Sequence, residues 1–386
     1  MLTRRFFYLI SILLFSSIIL SAQQKPLPFK VIGDINADSG IIELQMLADS
    51  CFYPQKINLR TNVVNKKFYF EGTIAYPQPV RLIYNSGEYV GDFCIIEPGS
   101  QSIKCDFTLH REIPPMNNRS MKEYFGAYTD AFKLITTKRN RLDEKWDSLS
   151  TVHKGNLPDS IKLNLESKLN NYYKENDTTL LRYVKAHPDS YVSLWKLAHL
   201  LSFGYEDIFD SIYDQFSDSI KNTYTGKVLA QKIKKASLLS IGKRFPGIMA
   251  INNKNEHLDT GFFNHKYTLV DFWYSHCGPC REQFNDLKII YEKYKYNGFE
   301  IISISTDKQK DKQNWLEVIE KYSLPWPQYW DIDGQEANKL FIQAFPTNVL
   351  LDSTGRIIMK NIKPAELKKF LAIHSSPELF YDVKRF

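Results

Sequence analysis

Cys277 and Cys280 stand three residues apart, with Gly278 and Pro279 between them. Two thiols at that spacing suit thiol–disulfide exchange. The second can reach back and resolve a mixed disulfide formed by the first. Exposed N–H groups at a helix N-terminus favour thiolate over thiol, so Cys277, at the start of an amphipathic stretch, is the expected nucleophile. Cys280, one turn further on and buried, is the expected resolving thiol. Gly278 and Pro279 set the turn and limit the dithiol's freedom. Other uses of the pair fit less well. A structural disulfide this short is rare. A zinc site needs a second ligand pair, and no other Cys-x-x-Cys or His-x-x-x-His occurs. No metal or cofactor is expected beyond the redox-active cysteine pair.

The elements around the pair read as α/β. Tyr267 to Trp273 is a buried strand, and Phe284, Leu287, Ile290 or Tyr291, and Tyr294 line one face of the helix that follows. Phe299 to Ser305 is a second buried strand, and Gln309 to Tyr322 a helix. Asn348 to Leu351 and Arg356 to Met359 flank Asp352-Ser-Thr-Gly355, a hairpin turn, and a helix from Pro364 to Ile373 closes the unit. Gly242 to Gly247 marks its start, so it is assigned to 241–386.

The remainder divides in three. Residues 1–22 carry Arg4 and Arg5, an uncharged run from Phe6 to Leu20 and a small-residue exit, the pattern of a secretory signal peptide. The run is short for a membrane span, so membrane contact is expected only if the signal stays uncleaved. Residues 27–110 show short β-prone runs separated by Gly, Pro, Asn and Asp, which suggests a small antiparallel β-sandwich. Residues 111–240 read as a helical linker domain, with Tyr124, Tyr128, Phe132 and Ile135 on one face and breaks at Pro158 and Pro188. His153, His187 and His199 are isolated there. That helical middle offers a surface for a homodimer.

The chain has 386 residues, a formal charge of +7, and 14% aromatic residues, which read as β-structure and core. Its basic residues are scattered as on solvated helix faces, so nucleic acid is not an expected partner. Export places the five cysteines in an oxidising compartment. If the chain turns back between Gly99 and Ser100, Cys94 and Cys105 face each other and a cross-strand disulfide becomes feasible; buried free thiols are the alternative. Cys51 is left over.

Leu269-Val-Asp-Phe-Trp-Tyr-Ser-His-Cys-Gly-Pro-Cys280 resembles the active-site stretch of thioredoxins. Residues 242–375 are similar to the TlpA/ResA-type envelope thiol–disulfide oxidoreductases, through Ile301-Ile-Ser-Ile-Ser, Leu324-Pro-Trp326-Pro and Phe345-Pro346-Thr347. Residues 27–110 resemble the β domain of unknown function that precedes such modules. The resemblance implies a thioredoxin-like mixed sheet flanked by helices. It implies a cis bond between Phe345 and Pro346 facing the dithiol. Asp271 would be the buried acid that takes the resolving thiol's proton, and Trp273 an aromatic walling the site, although core packing explains Trp273 equally well.

Three positions depart from the family pattern. His276 replaces the usual Trp; protonated, it would favour the Cys277 thiolate and a more oxidising couple, or it is a solvated loop residue. Gln283 stands where Glu is common, with Glu282 one place early on another face, which leaves Asp271 the preferred base. Asn285 replaces a helix-kinking proline, so a straighter helix is expected. The reading is therefore an exported thiol–disulfide oxidoreductase reducing disulfides of envelope proteins and fed by an unidentified electron donor. A thiol peroxidase and a non-enzymatic envelope binding or assembly protein are the alternatives.

Overall fold

The computed structural model describes residues 25–375, apart from 48–49, 88, 107–112, 260 and 262. The expected signal segment, 1–22, lies outside the described residues. Seven strands come first: β1 (Leu27–Ile35), β2 (Ser39–Met46), β3 (Asn58–Val64), β4 (Lys67–Ile74), β5 (Gln78–Tyr84), β6 (Tyr89–Ile96) and β7 (Gly99–Cys105). They form one sheet in the order β6-β5-β2-β3-β4-β1-β7, antiparallel except for the parallel pair β1·β7. This corrects the expected sandwich. β6 and β7 lie at opposite ends of that order, yet only Glu97 and Pro98 separate them in the chain. A link that short spans about 10 Å, so the sheet must curl until its edges nearly meet, as in a barrel. Short strands with regular turns are common to both architectures; pairing order separates them.

Cys94 and Cys105 therefore do not face each other across a hairpin. Cys94 pairs in register with Val80, and Cys105 with Ile35. Both are buried free thiols. Burial pushes the Cys105 thiol up to about 12 and the Cys94 thiol upward as well.

The register of β1 on β4 is keyed by two glycines. Gly33 lies opposite Phe68, and Gly72 opposite Phe29. A Cβ on Gly33 would sit 1.9 Å from Phe68 Cζ, and one on Gly72 would sit 2.7 Å from Phe29 Cε1. Each ring lies over the backbone its partner leaves bare, so a one-residue slip would drive both rings into side chains.

The helical middle comprises α1 (Arg119–Glu123), α2 (Thr129–Val152), α3 (Asp159–Ala186), α4 (Tyr191–Leu201), α5 (Ile208–Asp214), α6 (Asp218–Lys221) and α7 (Tyr224–Ala236). α3 begins directly after Pro158 and stops short of Pro188, where a proline ring denies the helix an N–H. One apolar core runs from Phe29 in β1 to Ile233 in α7, so these helices pack onto the curled sheet. Trp195 Nε1 donates to Pro77 O at 2.9 Å, and Thr225 Oγ1 donates to Phe52 O at 2.7 Å.

The last part contains β8 (Tyr267–Trp273), α8 (Gly278–Tyr294), β9 (Phe299–Ser305), α9 (Lys312–Tyr322), β10 (Gln328–Trp330), α10 (Gln335–Lys339), β11 (Thr347–Asp352), β12 (Ile357–Lys360) and α11 (Pro364–His374). The sheet order is β10-β9-β8-β11-β12, parallel through β10, β9 and β8, then antiparallel. Its two faces bury different cores. Leu269, Trp273, Ile301 and Leu350 face α8 and α11, while Val270, Phe272, Ile302, Ile304, Val349 and Leu351 face Phe245, Leu258 and Leu340. α8 buries Phe284, Leu287, Ile290, Tyr291 and Tyr294 on one stripe. Each large apolar side chain buried there contributes about 1.5–3 kcal/mol. The helix runs unbroken through Asn285.

The two parts touch. Lys363 Nζ donates to Glu166 Oε2 of α3 at 2.6 Å. Lys232 on α7 lies over the rings of Phe52 and Phe341, and Lys360 Nζ donates to Tyr205 O at 3.0 Å.

Candidate active site

Cys277 caps α8. Its Sγ accepts the Cys280 N–H at 3.2 Å, and its own N–H donates to Tyr274 O at 3.0 Å. Cys277 and Cys280 are joined by a disulfide, and both are buried. An N-cap sulfur that already accepts a backbone N–H is one whose anion the helix end stabilises. Pro279, in the first turn, needs no N–H partner there.

Strand alternation places the acid. Asp271 shares the face of Leu269 and Trp273, the face on which α8 lies. In register with it stand Ser303 on β9 and Asn348 on β11. The three make a buried polar row across the sheet. Asn348 is satisfied by Ile362: its Nδ2 donates to Ile362 O, and its Oδ1 accepts Ile362 N–H. Burial pushes the Asp271 carboxyl up to about 7, against the opposing pull of the Ser303 hydroxyl.

The Phe345–Pro346 peptide is cis, as the resemblance implied. Phe345 packs edge-on against Tyr274, with ring centroids 5.3 Å apart, so the cis-proline loop abuts the turn that leads into Cys277. Trp273 lies in the same buried cluster as Cys277 and Cys280. It is fully buried and packs edge-on against Phe284 of α8 at 5.2 Å. Its alternation puts it under the helix, and Tyr274, the next residue, takes the place at the turn. His276 is largely exposed; its Nε2 lies 3.1 Å from Asn314 Nδ2 and 4.0 Å from Asp311 Oδ1. Glu282 is exposed and Gln283 half-buried.

Sequence reasoning missed the pin beneath this turn. Asp307, buried just past β9, accepts the Ser275 N–H at 2.9 Å, the Ser275 Oγ–H at 2.6 Å and the Ser305 Oγ–H at 2.6 Å. Its own carbonyl accepts Trp330 Nε1–H at 2.7 Å. A serine two positions before a Cys-x-x-Cys pair and an Asp just after the next strand were the available signals. Neither stands out alone.

Residues 264–357 match the family described as thioredoxin-like. The thiol–disulfide oxidoreductase ResA of Bacillus thuringiensis subsp. konkukian is 26% identical over 137 residues, covering 36% of this chain and 78% of that protein. ResA of Bacillus subtilis is 21% identical over 120 residues, 31% of this chain and 66% of that protein. The C-terminal part is a thioredoxin-like domain of the ResA/TlpA type. A solved thiol-disulfide oxidoreductase from Bacteroides fragilis is 34% identical to it, covering 34% of this chain and 99% of that one, with a TM-score of 0.32. The thioredoxin-like domain brings protein-disulfide oxidoreductase activity to the chain, so a purely non-enzymatic reading falls away. Among the described residues no cluster of His, Cys, Asp or Glu could hold a metal.

Proposed function

We propose that the chain is an exported oxidoreductase that reduces disulfides in envelope proteins through the Cys277–Cys280 dithiol. The observation that carries this reading is the bonded pair at the N-terminus of α8, with Cys277 as its cap. The Cys277 thiolate attacks a client disulfide. One client sulfur leaves as thiolate and takes up a proton, and a mixed disulfide forms. Cys280 then gives its proton to the Asp271 carboxylate and attacks Cys277 Sγ. The second client thiolate departs, and Cys277–Cys280 closes. Two electrons have passed to the client. Asp271 releases its proton before the next cycle, and a separate donor returns the pair to the dithiol.

In this scheme Cys277, Cys280 and Asp271 act on the reacting atoms, and Pro346 with Phe345 borders the client. Gly278 and Pro279 shape the turn, and Trp273 supports it from below. The N-terminal charge and apolar pattern supports export to the periplasm, and the Gly-Pro insert supports the reducing direction. A dithiol favours exchange over peroxide chemistry, which needs one peroxidatic cysteine.

The test is a trap. Cys280→Ser should accumulate mixed disulfides with envelope proteins in cells, and these should vanish on adding Cys277→Ser. If no trapped species forms and the purified protein cannot reduce insulin, the proposal fails. The couple's potential settles direction: near about −270 mV it reduces as thioredoxin does, near about −120 mV it oxidises.

A further inference from the structure

The polar row under α8 holds more than the acid. Ser303 lies beside Asp271 in the parallel pair β8·β9 and is completely buried. Its Oγ accepts Trp326 Nε1–H at 2.8 Å. With a lone pair taken by the indole, the hydroxyl has its own proton to give, and the carboxyl beside it in register is that of Asp271. Trp326 is buried in the same core as Trp273 and Cys280. It arrives from the segment between α9 and β10, held in register where Ser303 N–H donates to Pro327 O at 3.1 Å.

We propose that Ser303 and Trp326 are positioning residues: Trp326 orients the Ser303 hydroxyl, which donates to Asp271 and holds its carboxylate ready for the resolving thiol's proton. The inference rests on the role of Asp271 given above. Hydrogen bonds in a chain reinforce one another in a dry interior, so an indole donating to Ser303 makes that hydroxyl the stronger donor. From β11 Asp271 meets Asn348, whose amide is committed to Ile362. β9 offers Ser303. Of the buried residues of α8, Cys280 titrates when reduced, and Tyr291 and Tyr294 lie turns further along. Cys277, the cap, is the other titratable group at that end. No ionised side chain contributes to the Asp271 balance, which burial and Ser303 set between them.

Carboxyl carbon-13 NMR of the oxidised full-length protein tests the relay, since the bonded cysteines do not titrate. Loss of a hydrogen bond to the carboxylate in Ser303→Ala should move the Asp271 midpoint up by about one pH unit. Trp326→Phe should move it in the same direction by less, and Ser303→Thr, which keeps a hydroxyl, should hold it near the parent value. Midpoints unchanged in both Ser303→Ala and Trp326→Phe overturn the relay. So does an equal shift in Ser303→Ala and Ser303→Thr, which would assign the effect to packing. The readout needs no turnover. A shifted midpoint in a protein that exchanges no disulfide would support the relay and sink the dithiol function separately.

Discussion

Replacing Asp271 by Asn should stabilise the protein at alkaline pH and leave it little changed at acid pH, apart from a constant offset. A carboxyl raised from an ordinary 3.8 to about 7 holds its proton more tightly folded than unfolded. Below about pH 4 both states are protonated and the acid costs nothing. Between about pH 4 and 7 the unfolded chain loses the proton first, so stability falls as pH rises. Above about pH 7 the deficit is complete. At 1.36 kcal/mol per pH unit it comes to about 4 kcal/mol, a large share of the roughly 5–15 kcal/mol that holds a domain together. Asn has nearly the same shape and no charge. Any packing or hydrogen-bond penalty it brings is the same at every pH. Urea unfolding of oxidised parent and Asp271→Asn at pH 4.5 and pH 8.5 isolates the titration. The stability difference between the two proteins should change by about 3–4 kcal/mol in favour of Asn at the higher pH. An equal difference at both pH values would refute the burial argument. Turnover should move the other way, with resolution slowed in the variant.

Two further outcomes follow from the curled sheet. Gly33→Val should cost about 3 kcal/mol or more in urea unfolding, because its side chain must evict the Phe68 ring; a variant of parent stability would show that the β1·β4 register is not keyed there. In the native protein at pH 8, Cys94 and Cys105 should resist iodoacetamide and react promptly once unfolded, read by mass spectrometry. With Cys105 pushed up to about 12, only ~10⁻⁴ of it is thiolate at that pH, before burial blocks access.

The dithiol, its helix and the strand before it were legible in the sequence because each is a local signal, while the mixed sheet came through the family resemblance. The strand from Tyr267 to Trp273 is a continuous apolar run, and the stripe Phe284, Leu287, Ile290 and Tyr294 repeats at helical spacing. The hairpin around Asp352 was equally plain, since its carboxylate collects the Thr354 and Arg356 N–H groups within the turn itself. What stayed hidden depends on pairing between distant strands. β3 and β7 carry weak alternation, and nothing in Glu97-Pro98 says that the strands it joins lie at opposite edges. The site's support was hidden for the same reason: Asp271, Ser303 and Asn348 meet only through register, and Ser275 meets Asp307 across 32 residues. Trp273 was open to two readings because a strand-end aromatic can point outward or down, and only the helix above it decides.

The polar row is costly where it stands. Apolar residues of similar size at 271 and 303 would pack beneath α8 without desolvating a carboxyl, and a buried ionised acid without a cationic partner is among the dearer features a core can hold. Among its neighbours, Asn348 is fully occupied as a clasp for the chain entering α11. Asp271 clasps nothing of that kind. The side chain beside it in register is a serine that an indole already engages. An acid kept near neutrality, on the helix-facing side of the strand that delivers the dithiol, is suited to taking a proton and giving it back. Asp307 makes the contrast. Equally buried, it accepts hydrogen bonds from Ser275 and Ser305 and fixes the turn, so its oxygens are engaged in holding structure. Of these two buried acids, Asp271 is therefore the one suited to the proton transfer proposed above, and Asp307 is the one that pins the turn.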